Sequence, residues 1–168
     1  MEGAVLKTLE LINSFDYPLK AWEIHKWLFK RKGNLRDVEK ALRRLLKKKK
    51  ITQQNGYYFL SSRKGLLKKR LRKENEYKKS LKRISFLSKA YKLNPKIKLT
   101  ACYGEFISPN CLVSDLEQFS FKKGKESALQ ILQIQLIWER GKYFREFLEE
   151  HSWAFEYFPN FMVKKAHV

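Results

Sequence analysis

The sequence predicts a mainly α protein in which three short helices are followed by a β-hairpin and then by a long helix. Three observations predict this class. Apolar residues recur every three or four positions through most of the chain, as in helices packed on one side. The dipeptide Asn55-Gly56 separates two short β-type runs, and it forms a tight hairpin turn at low steric cost. Basic residues are concentrated in the first half, where residues 1–92 carry 27 Lys and Arg against 8 Asp and Glu.

Length and composition limit the classes of protein to consider. The chain has 168 residues, of which 43% are hydrophobic, enough for one domain or two small ones. No apolar run approaches the roughly 20 residues that a membrane span needs, and the N-terminus does not read as a leader. We therefore expect a soluble, cytoplasmic protein with no membrane partner. Cys102 and Cys111 are too few, and too isolated from histidines, to predict a disulfide framework or a zinc site.

The net charge of +20 lies almost wholly in the first half, because residues 93–168 carry 10 basic and 9 acidic side chains. Two different surfaces are therefore joined in one chain. A half as basic as the first creates a long-range field that collects polyanions. Nucleic acid, either DNA or RNA, is the expected partner, and anionic membrane is the minor alternative. A solvated, highly charged helical surface is the structural alternative.

Two helices are predicted before residue 33. Residues 4–15 place apolar side chains at helical spacing, and Pro18 stops this helix because proline lacks a backbone donor and restricts its predecessor. A second helix is predicted over residues 21–29. Gly33 breaks it, and Asn34 can cap the next helix.

The third predicted helix, over residues 35–50, separates apolar from basic side chains. At about 100° per residue, one side is apolar and the opposite side is basic. The apolar side consists of Leu35, Val38, Ala41, Leu42, Leu45 and Leu46. The basic side consists of Arg36, Lys40, Arg43, Arg44 and Lys47. One face is thus expected to pack in a core, and the other to remain outside it.

Three helices followed by a hairpin, over residues 1–61, are typical of a winged helix-turn-helix. In that class the third helix can enter the major groove, and the hairpin can touch the adjoining backbone. Many winged helices instead bind proteins or pack against a partner domain, and this alternative stays open. Long basic side chains predict phosphate contacts, which position a protein without specifying a base sequence. Bidentate recognition of guanine by Arg36 or Arg43 is chemically allowed, but the sequence does not demonstrate it.

A long connector helix is predicted over residues 62–94. Its first part is basic around nearly the whole circumference, so we expect it to remain unburied, bridging through solvent or lying along a polyanion. These basic residues are Arg63, Lys68, Lys69, Arg70, Arg72 and Lys73. The expected nucleic-acid-binding residues are Arg36, Lys40, Arg43, Arg44, Lys47, Lys48, Arg63, Lys68, Lys69 and Arg72.

Residues 95–168 are predicted to form a small, mostly helical C-terminal module. Residues 125–137 are apolar on most faces, which favours a buried helix, and a second helix is predicted after Gly141. The last thirty residues are rich in aromatic side chains. We expect the apolar stripe of residues 77–91 or a second chain to cover them, so a protein partner or a homodimer is a further expectation. No metal site is predicted at His151, because neighbouring helix positions point in different directions.

The first half resembles part of a known enzyme family. It looks like the winged helix and connector of prokaryotic nucleotidyltransferases of the polymerase-beta-like superfamily. The features that carry this resemblance are the order of the helices, the run DVEKALRRLLKKKKI, the NGYYFL hairpin and the basic helix that runs into NPKIKL. The resemblance implies a strand at residues 96–102, a turn at Gly104-Glu105, and Asp115 and Glu117 as a carboxylate pair for divalent ions. Glu105 departs from the family pattern, which has Ser or Gly at this position. We also find no later strand pattern to carry the family's third carboxylate.

A second alignment competes with the first. Residues 125–161 resemble a segment that lies beyond the catalytic core in the same family. Under this alignment the core is deleted, whereas under the first it is degenerate. We therefore expect a non-catalytic nucleic-acid-binding protein with no catalytic residues, no bound metal and no cofactor. One alternative is a metal-dependent nucleotidyltransferase that uses Gly104, Asp115 and Glu117 with Mg²⁺. The other is an antitoxin-like protein-interaction module.

Overall fold

The computed structural model describes residues 1–60, 65–103, 111–113 and 121–162. The chain is rich in helices and also carries two small antiparallel sheets, so it is mixed α/β. It divides into two compact units. Unit 1 consists of Met1–Arg72 together with Phe155–Met162, and unit 2 contains Lys73–Ala154.

Unit 1 contains three helices and a three-stranded sheet. The elements are α1 (Glu2–Asn13), β1 (Leu19–Lys20), α2 (Ala21–Lys26), α3 (Leu35–Lys47), β2 (Ile51–Gln54) and β3 (Tyr57–Leu60). The strands lie in the order β1-β3-β2, with antiparallel pairing. The hairpin turns at Asn55-Gly56, where φ is 51° and 78°, as the dipeptide predicts. α4 (Leu66–Tyr91) begins in unit 1 and continues into unit 2.

The core of unit 1 is made by the apolar sides of its helices and of β3. The largest fully buried side chains include Val5, Ile12, Leu19, Ile24, Trp27, Leu28, Leu42 and Leu45. Thr8 connects α1 to the segment after α2, since its Oγ1 donates to Ala4 O (2.8 Å) and accepts from Phe29 N (3.0 Å). α2 ends at Lys26, three residues earlier than predicted. The chain turns there because Trp27 and Leu28 enter the core and Lys30 adopts a left-handed conformation (φ 48°).

The first turn of α4 carries a buried ion pair. Leu66 and Leu67 are 4% and 8% exposed, so the side of the helix that they share with Arg70 faces the core. Arg70 Nη2 donates to Glu23 Oε1 (2.7 Å), both side chains are 3% exposed, and the guanidinium lies 3.5 Å from the centre of the Tyr17 ring. The expectation that this basic segment is unburied is therefore wrong for Arg70.

The C-terminal aromatic segment, residues 155–162, packs in unit 1. The Phe158 ring meets Trp27 edge-on at 5.5 Å between centroids, and the Phe161 ring lies 4.8 Å from Trp27. Asn160 Oδ1 accepts from Gly33 N (3.2 Å), and its Nδ2 donates to His25 O (2.9 Å). These aromatic side chains therefore pack on residues 25–33, so the prediction that residues 77–91 cover them is wrong for this segment. Cover by a second chain stays a prediction.

Unit 2 contains a three-stranded sheet, in which one strand overlaps the strand that the resemblance implies at residues 96–102 and another overlaps the predicted helix over residues 125–137. Its elements after α4 are β4 (Leu99–Tyr103), β5 (Cys111–Val113), α5 (Lys125–Leu132), β6 (Gln135–Glu139) and α6 (Tyr143–Glu150), and α7 (Ala154–Tyr157) follows at the boundary with unit 1. The strand order is β5-β4-β6, all antiparallel. Two predictions fail here: the module is not mostly helical, and the single helix over residues 125–137 is a helix followed by a strand. An apolar run of this length suits a buried helix or a buried strand equally, and pairing with β4 decides between them.

Candidate nucleic-acid interface

α3 is a rigid support with one buried side. Asn34 caps its N-terminus, since Oδ1 accepts from Asp37 N at 2.8 Å. Val38, Ala41, Leu42 and Leu45 are buried to 3% exposure or less. The helix is therefore fixed in rotation about its axis, and this rotation determines which side chains face outward.

The outward side of α3 is basic. Arg36, Lys40, Arg43, Arg44 and Lys47 are all exposed, as the helical spacing predicts. None of these five forms an ion pair with any residue of the described ranges. From Arg36 to Lys47 the basic face is about 16 Å long, at 1.5 Å per residue. A surface this long can meet several consecutive phosphates.

The end of α3 adds further positive charge. Lys50 N donates to Leu45 O (3.1 Å) and Lys49 N donates to Leu46 O (2.9 Å), the paired bonds of a Schellman motif. Lys49 therefore has φ 54°, a conformation that glycine adopts at lower cost. Lys48, a predicted binding residue, donates to Glu2 Oε2 at 2.6 Å, and this bond lowers the pKa of the Glu2 carboxyl.

The hairpin beside α3 presents polar, uncharged side chains. Gln53, Gln54 and Asn55 are exposed around its turn, and no Lys or Arg occurs between residues 51 and 60. An amide can donate to a phosphate oxygen, but it supplies no net charge. Any phosphate contact by the hairpin would thus be a neutral hydrogen bond, while α3 supplies the long-range attraction.

The predicted residues at the start of α4 do not form one uniform surface. Lys68 and Arg72 are exposed. Lys69 is also exposed, but its Nζ lies 2.8 Å from Asp16 Oδ2. This pair is weak enough to exchange for a phosphate, because exposed ion pairs contribute about 1 kcal/mol or less. Arg63 lies outside the described residues.

Sequence reasoning missed four exposed basic residues that adjoin α3 in the chain. Arg31 and Lys32 precede its cap, and Lys49 and Lys50 follow its last turn. The signal was present in the printed sequence as charge runs on both sides of the helix. The predicted third helix, over residues 35–50, includes the second run, whereas α3 ends at Lys47.

The residues of the enzymatic alternative lie elsewhere. Gly104, Glu105, Asp115 and Glu117 are outside the described residues. The expectation that no strand follows Phe121 is wrong, since β6 ends at Glu139, and that carboxylate accepts from Phe144 N at 3.0 Å. Within the described ranges no group of His, Cys, Asp and Glu could hold a metal ion, and no helix there is long and apolar enough to cross a membrane.

Comparison with protein-family models, curated proteins and solved structures found no match to this chain. The resemblance to nucleotidyltransferases therefore stays a prediction from the sequence.

Proposed function

We propose that this protein binds nucleic acid through a winged helix-turn-helix in its first 61 residues, without catalysing a reaction on it. α3 is the recognition helix in this proposal, and the β2–β3 hairpin is the wing. The observation that carries the proposal is the outward face of α3, where five exposed cations form no ion pair within 4.0 Å with any described residue.

The five charges of α3 destabilise the isolated protein slightly. Like charges on adjacent turns of one helix repel each other and weaken it by a few tenths of a kcal/mol per pair. The repulsion is removed when phosphates bind, and condensed counterions are released from the nucleic acid at the same time. An unpaired basic face of this kind is therefore destabilising alone and stabilising in a complex.

The shape of the surface favours duplex DNA over duplex RNA. The DNA major groove is about 12 Å wide and admits an α-helix, while the RNA major groove is deep and narrow. A helix fixed by one buried side and basic on the other can lie in the wider groove. Arg36 and Arg43 carry the planar guanidinium that can bind guanine through two hydrogen bonds.

A charge reversal tests the proposal. The double variant Lys40→Glu, Arg43→Glu should bind a 20-base-pair DNA duplex at least tenfold more weakly than the unmodified protein in fluorescence anisotropy at 100 mM salt. The matched control, Lys122→Glu with Arg145→Glu, makes the same change in net charge on exposed residues of unit 2. It should lose clearly less affinity.

Three results would count against the proposal. Equal losses in the two variants would show that net charge, and not α3, determines binding. Stronger binding to duplex RNA than to DNA of the same sequence would contradict the groove argument. Binding of the unmodified protein to anionic vesicles, with no binding to either duplex, would favour a membrane surface.

A further inference from the structure

The second half of α4 carries an exposed aromatic ring that the proposed interface does not use. Phe86 is 74% exposed, more than any other described aromatic side chain. Ser88 on the same helix is 4% exposed, and Tyr77 and Tyr91 are half-buried. Phe86 lies two positions before Ser88, about 200° around the helix axis, so it points away from the packed side.

Basic side chains surround this ring along the helix. Lys82 lies one turn before Phe86 and Lys89 one turn after it, and Lys79 and Arg83 flank the same side. All four are exposed, and none forms an ion pair with a residue of the described ranges. Residues 77–92 contain six Lys and Arg and no Asp or Glu. The ring therefore stands in a strongly positive field.

An unpaired nucleic-acid strand is chemically complementary to this surface. A base in a single strand has a free π-face that stacks on an aromatic ring, and the phosphates on both sides of the base can meet the lysines. The bases of a duplex are already stacked on each other and offer no such face. We infer that Phe86, Lys82 and Lys89 form a second nucleic-acid-binding site, which takes single-stranded DNA or RNA.

Two other occupants fit less well. Lysine is depleted in protein–protein interfaces, whereas here lysines flank the ring on both sides. A helix lying in a membrane surface presents a broad apolar face, but the Phe86 side of α4 carries Lys79 and Lys82 next to the ring. The charge of the patch therefore favours a polyanion with stacking bases. This inference goes beyond the proposed function, because it uses residues of unit 2 and does not require α3 to bind a duplex.

The test is anisotropy of a labelled 12-nucleotide thymidine strand with the full chain. Phe86→Ala should weaken binding about tenfold, since the base stacked on the ring loses its partner. Phe86→Trp should keep the affinity, and the added indole should be quenched when the strand binds. Leu93→Ala is the control, because Leu93 follows α4 directly, is 85% exposed and has no ring, and the affinity of this variant should stay within twofold. Lys82→Ala with Lys89→Ala should lower the salt dependence by about 1.4 units.

The outcomes separate this inference from the proposed function. If the Lys40→Glu, Arg43→Glu variant lost duplex binding while Phe86→Ala bound the single strand unchanged, this inference would be overturned and the proposed function would stand. If Phe86→Ala and Leu93→Ala both lost affinity for anionic vesicles to the same extent, and neither lost affinity for the strand, the patch would be a lipid-binding surface. This result would also overturn the inference. A Phe86-dependent strand affinity that survives in the α3 variant would support it even if the proposed function failed.

Discussion

Removing Arg36, Lys40 and Arg43 together should flatten the salt dependence of DNA binding by a calculable amount. If all five exposed cations of α3 contact phosphates and not bases, they contribute about −4.5 to the slope of log K against log salt, at about −0.9 per phosphate contact. A rise in salt from 50 to 200 mM should then weaken binding about 500-fold. The triple alanine variant keeps two of the five, so its slope should be about −1.8 and the same rise in salt should cost about 12-fold.

The assay is titration of a labelled DNA duplex with the full chain at four or more salt concentrations, for both proteins. The three side chains are exposed and lie opposite the buried side of α3, so the variant should remain folded, with an unchanged midpoint of urea unfolding. Replacing Lys122, Lys125 and Arg145 with alanine removes the same charge from exposed positions in unit 2. A triple variant whose slope equals that of the unmodified protein would refute the assignment of phosphate contacts to α3.

Three further predictions concern stability. Glu23→Ala should cost about 3–5 kcal/mol in the free energy of urea unfolding, because Arg70 would stay buried without its carboxylate. Lys49→Gly should gain about 1 kcal/mol, because glycine adopts φ 54° without strain, and the melting temperature should rise by a few degrees. The Glu2 pKa is lowered by Lys48, so this pair should stabilise the fold above about pH 4.3 and stop doing so as pH falls through the lowered value. Lys48→Met should reduce that dependence in unfolding measurements between pH 2 and 6.

Each of these three has a control and a contradicting result. Lys69→Ala breaks an exposed ion pair with Asp16, so it should lower the free energy of unfolding by under about 1 kcal/mol. If Glu23→Ala lowered it by no more than this, burial of the Arg70 pair would not be the source of its stability. Lys49→Ala removes the same charge but keeps the Cβ, so a gain equal to that of Lys49→Gly would point to charge repulsion instead of backbone strain. An unchanged acid dependence in Lys48→Met would show that Glu2 does not contribute through this bond.

Local patterns predicted the part of unit 1 that local physics controls. The turn at Asn55-Gly56 and the rotation of α3 both follow from residues within one or two turns of each other, so periodicity and turn chemistry are sufficient. The exposure of Arg36 and Lys40 follows from the same rotation. Most of the candidate interface could thus be predicted from the sequence.

The failures share a different cause, which is pairing between residues far apart in the chain. β6 forms because β4 pairs with it, and the apolar run that contains it suits a helix equally well. Lys48 and Lys69 reach carboxylates 46 and 53 positions away, so no local spacing reveals that they are engaged. Arg70 is buried because Glu23 lies 47 positions before it. The local sequence around a basic residue does not reveal whether a distant carboxylate pairs with it in the fold.

The C-terminal segment links the most distant of these pairings to the proposed interface. The chain leaves unit 1 after Arg72 and returns to it at Phe155, so Lys73–Ala154 lie between the two parts of unit 1 in the sequence. Gly33, one residue before the cap of α3, donates its N–H to Asn160 Oδ1, which lies 127 positions later in the chain. His25 Nε2 donates to Gly33 O at 2.8 Å. The turn that leads into α3 is therefore held partly by the end of the chain, and Trp27 behind it is 1% exposed under Phe158 and Phe161. A fragment that ended before residue 155 would lose these bonds to the turn before α3 and would expose the Trp27 ring, although the buried side of α3 itself would remain.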